Sequence, residues 1–428
     1  MDIIERLESN VRTYCRSFPT TFTRAEGACL FDSRGRRYID FFAGAGALNY
    51  GHNEPRMQAA LVDYIRSNGI THSLDMTTEA KVRFLESVET RLLRPRGLDY
   101  KALFPGPTGT NAVETAIKLA RRATGRSEIL AFTNAFHGMT LGSLALSGNS
   151  GKRAGAGVPL PFASCAPFAS YGHAEMDTLA HLRTLLEDSS SGFDTPAAII
   201  VETVQAEGGV NVASDAWVRG LAELAKDLGI LLIVDDIQVG CGRTGAFFSF
   251  ERAGVAPDIV CLSKSLSGYG LPLSMVLLRP ELDVFEPGEH NGTFRGHNLA
   301  FVTARTALET YWSDDTLTRE VERKAARAAE TLGAIAAEHG GTERGLGLIR
   351  GVEFDDPGLA KRASAEAFAR GVVMETAGPE DTVLKLLCPL TIDDALLDEG
   401  LARVREAVKA AACGREAERP AAPAEVTA

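Results

Sequence analysis

The chain has 428 residues, 45% hydrophobic and 24% charged, with a formal net charge of -11, a globular composition long enough for two domains. The acidic balance disfavours nucleic acid and acidic membrane surfaces as partners, and no apolar run approaches the roughly 18 residues of a membrane span. Seven scattered cysteines without a CxxC pair argue against a disulfide scaffold and a zinc site, and with an acidic N-terminus lacking any signal-like apolar core they fit a reducing cytoplasm.

Residues 1–28 predict a short helix and an extended arm, followed by a hairpin around Asp32-Ser33-Arg34-Gly35. It leads into Gly44-Ala45-Gly46-Ala47-Leu48-Asn49-Tyr50-Gly51, read as a loop near a site, because the third glycine falls too late for a dinucleotide fingerprint. Residues 55–67 and 79–93 have the period of amphipathic helices. Gly106, Pro107 and Gly109 then make a tight turn, after which Ala112, Ala116, Ile117 and Ala120 fall on one helical face. A glycine-rich turn opening a helix offers unpaired N–H groups and the positive end of the dipole to a phosphate. Gly109 and Thr110 stand where those donors belong, and the absence of Gly-Lys-Ser/Thr argues against a nucleoside triphosphate.

Residues 129–132 predict a strand, with Phe136-His137-Gly138 in the loop beyond it. An aromatic there can stack on a flat ring, core packing being the alternative. Residues 148–175 read as a long loop. Residues 197–201 form the next buried strand, ending at Glu202 with Glu207 beyond, and a helix follows over 214–228. The continuous apolar run 230–234 reads as a strand buried on both faces, ending on Asp235 and Asp236; the run 259–262 is followed at once by Lys264. This order predicts an α/β fold with a mostly parallel sheet between helices and ligands at its carboxyl edge, where Phe136, Glu202, Asp235 and Lys264 all fall.

A lysine and an aspartate converging from neighbouring strand ends suit pyridoxal phosphate chemistry, in which the amine forms a Schiff base and the carboxylate faces the pyridinium nitrogen. At each residue alone, an ordinary solvated strand-end charge is the alternative. Gly240-Cys241-Gly242-Arg243-Thr244-Gly245 matches GxGxxG, but residues 235–239 intervene after the strand and Phe247-Phe248 follows where a helix should begin. A metal hydrolase built on Asp235 and Asp236 lacks a histidine cluster. Helices are predicted at 299–311, 315–339, 358–369 and 393–411, with strands at 347–354, 372–375 and 383–387. The expected division is 1–54 as an arm and part of the small domain, 55–308 as the large domain, 309–412 as the small domain and 413–428 as a disordered tail.

These motifs together resemble the class III, or subgroup II, pyridoxal-phosphate-dependent aminotransferases over nearly the whole chain. The resemblance is carried by GPTGTNAVETAIKLAR, FHG, ETVQAEGG, DDIQVGCGRTG, SKSLSGYGLP and GTFRGHNLA. It implies a fold type I enzyme, with a seven-stranded, mostly parallel sheet in the large domain, a smaller α+β domain, and pyridoxal 5'-phosphate as cofactor. It further implies Lys264 as the Schiff-base lysine and proton shuttle, Asp235 as partner of the pyridine nitrogen, and Gln238 on the ring hydroxyl. Gly109 and Thr110 then hold the phosphate, Phe136 and His137 join the cofactor contacts with Phe136 over the ring, and Thr293 reaches the phosphate of a neighbouring subunit in a homodimer or higher homo-oligomer.

Within the family, NVRTYCRSFP, FFAGAGALNYGH, GITHSLDM and AFHGMTLGSLALSGN resemble the branch that serves ectoine biosynthesis. That branch moves an amino group from L-glutamate to the aldehyde carbon of L-aspartate 4-semialdehyde in a ping-pong reaction; an ω-aminotransferase for 4-aminobutyrate, ornithine or putrescine is the alternative. Lys385, before LLCPL, replaces an arginine of many relatives, keeping the charge but losing the bidentate fork. Glu207 is the matching glutamate, so a Glu207–Lys385 pair that opens when glutamate binds is implied. Met139 stands where relatives such as ornithine aminotransferase carry an arginine, which leaves the second carboxylate anchor unassigned.

Overall fold

Four-residue runs too short for helices build the centre of the molecule: Ile129–Phe132, Ala198–Val201 and Ile259–Leu262 are buried at every position, as strands covered on both faces must be. The computed structural model describes residues 3–169, 171–172 and 176–418. Its largest sheet has seven strands, in the order Lys101–Leu103, Met275–Leu278, Ile259–Leu262, Leu231–Asp235, Ala198–Val201, Ile129–Phe132 and Ala163–Ala166. Only Met275–Leu278 runs against its neighbours. The parallel register sets Asp235 beside Cys261, which brings the ends of two strands level and starts Lys264 from the same edge.

Helix Gly109–Thr124 covers this sheet with Ala112, Val113, Ala116, Ile117, Leu119 and Ala120, all buried. Small side chains every third or fourth residue let the helix lie close to the strands. It ends at Gly125, in the left-handed conformation (φ 71°) that a glycine adopts without strain.

Two four-stranded sheets flank this unit. One joins Phe22–Glu26, Cys29–Asp32 and Arg37–Asp40 to Val372–Val373, so the N-terminal hairpin is completed by a strand from the far end of the chain. The other orders Gly341–Leu346, Ile349–Phe354, Val383–Leu386 and Glu375–Ala377. Helices Thr316–His339, Leu359–Ala369 and Asp394–Glu418 pack over them, burying Leu332, Ile335, Leu397, Leu401 and Val404.

Several expectations are corrected. The stretch 148–175 is not one loop: it contains helix Ser150–Ala154 and strand Ala163–Ala166, with 170 and 173–175 outside the described residues. The strand sits at a sheet edge, and its small residues carry no apolar signal. Met275–Leu278 and Lys101–Leu103 were not anticipated, and the strand expected at 347–354 begins at Ile349 and is preceded by the polar strand Gly341–Leu346. The segment 79–93 is an α-helix over Glu79–Ser87 that widens into a π-helical turn at Val88–Leu93. The last helix is described to Glu418; 419–428 lie outside the described residues. Among the described residues no helix is long and apolar enough to cross a membrane, and no group of three His, Cys, Asp or Glu is placed to hold a metal ion.

Candidate active site

The carboxyl edge of the central sheet opens into a cavity lined by Gly109, Thr110, Phe136, His137, Glu202, Glu207, Asp235, Gln238 and Lys264. Eight of the ten residues singled out from the sequence line it; Thr293 and Lys385 do not.

Lys264 begins a short 3-10 helix, Lys264–Ser267, with φ at 49°. A non-glycine residue held there costs on the order of 1–3 kcal/mol and needs its surroundings to fix it. The Ser265 hydroxyl supplies that restraint, donating to Gly46 O at 2.8 Å and accepting the Asn49 N–H at 3.0 Å. The same bonds draw the loop 43–49 to the site. Burial lowers the Lys264 pKa, with the Lys385 charge acting in the same direction and Glu207 against it, so more of the amine is neutral and nucleophilic than in water.

Asp235 accepts the Ile237 N–H on Oδ1 (3.1 Å), while its Oδ2 lies 2.8 Å from His137 Nδ1. Burial opposes a charge on His137, but the hydrogen bond and charge of Asp235 outweigh it and raise the imidazole pKa. The neighbouring Glu202 accepts the Phe136 N–H at 2.9 Å and is pushed up to about 8 by burial. Asp235 is therefore the acid of this group that makes the histidine contact. Asp236 has the opposite surroundings: its Oδ2 accepts the Ser249 N–H at 3.0 Å, and burial pushes it up to about 7. The two adjacent aspartates serve different parts of the fold.

At the start of helix Gly109–Thr124, Asn111 Oδ1 accepts the Thr108 N–H (3.2 Å) and hydroxyl (2.8 Å), which fixes the first turn. The N–H groups of Gly109 and Thr110 have no acceptor within the helix and belong to residues on the cavity wall. Gly138 (φ 133°) closes over them; a Cβ there would come 2.4 Å from Thr110 Oγ1 and 2.7 Å from Ser143 Oγ. Phe136 is half-buried and presents a ring to the cavity, with Lys152 Nζ 4.3 Å from the ring centroid. Gln238 Nε2 donates to Ala45 O (2.8 Å) and Glu207 Oε1 (3.1 Å), leaving its buried Oε1 without a partner. An orphaned buried acceptor on a cavity wall fits a donor brought in by a bound molecule.

Beside the cavity, the fully buried Lys385 places Nζ 2.8 Å from Glu207 Oε1 and 2.9 Å from Glu375 Oε1. Burial works against a Glu207 charge, but Lys385 and Lys264 pull its pKa to about 2; both carboxylates raise Lys385 against the opposing effect of burial. Glu375 Oε2 accepts from the Tyr14 hydroxyl at 3.2 Å. Neither Glu375 nor Tyr14 was anticipated. Their signal lies in strand register, since Glu375 pairs opposite Lys385, and no one-dimensional pattern in the chain reveals it.

Thr293 lies exposed in a turn, its carbonyl accepting from His72 Nε2 at 2.9 Å; this chain does not bring it to the cavity. Met139 is exposed. The seven cysteines are free, with Cys241, Cys261 and Cys388 buried.

The family described as aminotransferase class-III matches residues 12–408. A diaminobutyrate–2-oxoglutarate transaminase of Nocardia farcinica is 58% identical over 401 residues, 94% of this chain and 92% of that protein. Those of Halomonas elongata (57%, covering 93% and 96%) and Halalkalibacterium halodurans (55%, covering 96% of each) are similar to the same extent. Among solved structures, the ornithine aminotransferase of Toxoplasma gondii superposes with a TM-score of 0.84 at 27% identity, covering 96% of this chain and 94% of that one.

Proposed function

The chain belongs to the class-III aminotransferases, and on that premise we propose that it transfers the amino group of L-glutamate to the aldehyde carbon of L-aspartate 4-semialdehyde, yielding 2-oxoglutarate and L-2,4-diaminobutyrate. The observation that carries this reading is the convergence, in one cavity, of a buried lysine amine, an aspartate paired with a histidine, and an open helix N-terminus.

The cavity residues fit pyridoxal 5'-phosphate, the cofactor of this family: the N–H groups of Gly109 and Thr110 suit its phosphate, the unpartnered Gln238 Oε1 its ring hydroxyl, and Phe136 one face of its ring. When bound, it supplies an aldehyde that receives the amino group and a ring that withdraws electrons from the substrate carbon. Asp235 would accept from the protonated ring nitrogen, and His137, 2.8 Å from its Oδ2, would orient it. Lys264, with its lowered pKa, takes the proton from Cα of glutamate and returns a proton at the carbon that receives the new amine. Lys385 receives a glutamate carboxylate when Glu207 withdraws. One cavity then serves donor and acceptor in turn, which is the requirement of a ping-pong reaction.

The exposed position of Thr293, away from its own cavity, supports delivery to the site of a second copy, so we assign a homodimer at least. The proposed setting is the cytoplasm and the proposed role the first committed step toward ectoine. The division 1–54, 55–308, 309–412 is likewise proposed, supported by the hairpin 22–40 sharing a sheet with Val372–Val373.

The test is to combine protein, pyridoxal phosphate, glutamate and aspartate semialdehyde and to measure diaminobutyrate and 2-oxoglutarate together. Faster use of ornithine, 4-aminobutyrate or putrescine as amine donor would replace the assignment with another ω-aminotransferase.

A further inference from the structure

Lys385 meets two carboxylates that the chain places in different ways, one on a paired strand and one on a turn. Glu375 and Lys385 are directly opposed on adjacent antiparallel strands, Glu375–Ala377 and Val383–Leu386. Cross-strand register therefore brings the two side chains together as an ion pair, 2.9 Å apart. Glu207 comes from a turn between the short strands Val204–Gln205 and Asn211–Val212, and its contact of 2.8 Å with Lys385 depends on a side chain that also faces the cavity. Of the three groups, Glu207 is the one whose position strand pairing does not set; besides Lys385 its side chain meets, among the described residues, only Gln238 Nε2, at 3.1 Å.

A lysine is a point charge on a flexible stem, without the planar fork with which an arginine fixes its own direction. Once Glu207 turns away, an ammonium held by nothing else has several rotamers open to it. We infer that Glu375 is a positioning residue that keeps Lys385 Nζ aimed at the incoming carboxylate of a dicarboxylate substrate, supplying the directional restraint that a lysine lacks. Tyr14, whose hydroxyl donates to the second oxygen of Glu375 at 3.2 Å, holds that carboxylate in turn. The inference rests on the proposed reading, in which Lys385 receives a substrate carboxylate.

The sign of the effect separates positioning from simple electrostatics. Removing a negative charge beside Lys385 should by itself tighten anion binding; losing a positioning group should loosen it. Calorimetric titration of the holoenzyme with glutarate, a dicarboxylate with no amine to transfer, reads this directly. Glu375→Gln is expected to raise the glutarate Kd about tenfold and the KM for glutamate by a similar factor, with kcat falling less than threefold. Glu375→Gln combined with Lys385→Arg, which restores a fork, is expected to return the Kd to within about threefold of the wild type. Unchanged or tighter glutarate binding in Glu375→Gln overturns the inference, as does a folded double variant that binds no better than the single one. If Glu375→Gln does not fold, Glu375→Asp, which keeps the charge but withdraws it by one methylene, must also weaken glutarate binding, and wild-type affinity there is equally fatal. Failure of the wild type to transaminate glutamate would sink the proposed function while leaving the glutarate result to decide the role of Glu375.

Discussion

His137 Nδ1 lies 2.8 Å from Asp235 Oδ2, with both side chains buried at the carboxyl edge of the central sheet. Truncating one partner of a buried charged pair leaves the other uncompensated, at a cost of about 3–5 kcal/mol. In His137→Ala, Asp235 retains only the Ile237 N–H on Oδ1, and its second oxygen is no longer oriented. A carboxylate free to turn holds a ring nitrogen proton less well, so the affinity for pyridoxal phosphate should fall at least about tenfold. Titration followed by cofactor absorbance checks this, and wild-type affinity across pH 6 to 8 would remove His137 from the site.

Lys264 is the amine on which the chemistry turns. Lys264→Ala should reduce turnover at least about a thousandfold, within the range set by loss of a general base and nucleophile. Independently of activity, borohydride treatment of the wild type should fix the cofactor's mass on the peptide containing Lys264, and no such increment should appear in the variant. An increment on another lysine would reassign the residue.

Lys385→Ala strips the counter-ion from two carboxylates at once, the buried Glu375 and the half-buried Glu207. The KM for glutamate should rise at least about tenfold, and the melting temperature should fall, since the loss belongs with broken buried pairs of about 3–5 kcal/mol. An unchanged KM for glutamate would exclude Lys385 from carboxylate binding.

The sequence displayed whatever has a local physical signature. The fully apolar runs at 129–132, 198–201 and 259–262 can only be strands buried on both faces, and a tight turn before an alanine-faced helix announces the phosphate seat at Gly109 and Thr110. Edge strands such as Ala163–Ala166 and Gly341–Leu346 escaped notice because they are half-solvated and need no apolar period. Glu375 and Tyr14 were invisible for a different reason. Their role depends on register and on a contact spanning 361 residues of chain between Tyr14 and Glu375, which no neighbouring residue encodes. The family resemblance singled out Asp235, but no local pattern separates it from Asp236, since two adjacent acids look alike until one is paired with histidine and the other turned to Ser249.

Gly138 offers a steric test of the phosphate seat. Its φ of 133° is strained for any other residue, and a Cβ would meet the Thr110 and Ser143 hydroxyls at 2.4 and 2.7 Å. Gly138→Ala should push Thr110 from the first helical turn and weaken cofactor binding about tenfold or more, with a smaller effect on the melting temperature of the cofactor-free protein. Equal losses in both measurements would mean general misfolding.

Asp236 gives the fold a pH dependence whose direction can be worked out. Burial pushes its pKa up to about 7 from an ordinary 3.8, so between those values the folded chain holds a proton that the unfolded chain has released. Stability then falls as pH rises, by at most about 1.4 kcal/mol per pH unit from this group, and the loss levels off once pH passes the folded pKa. Asp236→Asn removes the ionisation while keeping an acceptor for the Ser249 N–H. The variant should therefore show a flatter decline in melting temperature between about pH 4 and 7 and should melt above the wild type at pH 8. Parallel curves for the two proteins would mean that Asp236 is already ionised in the fold.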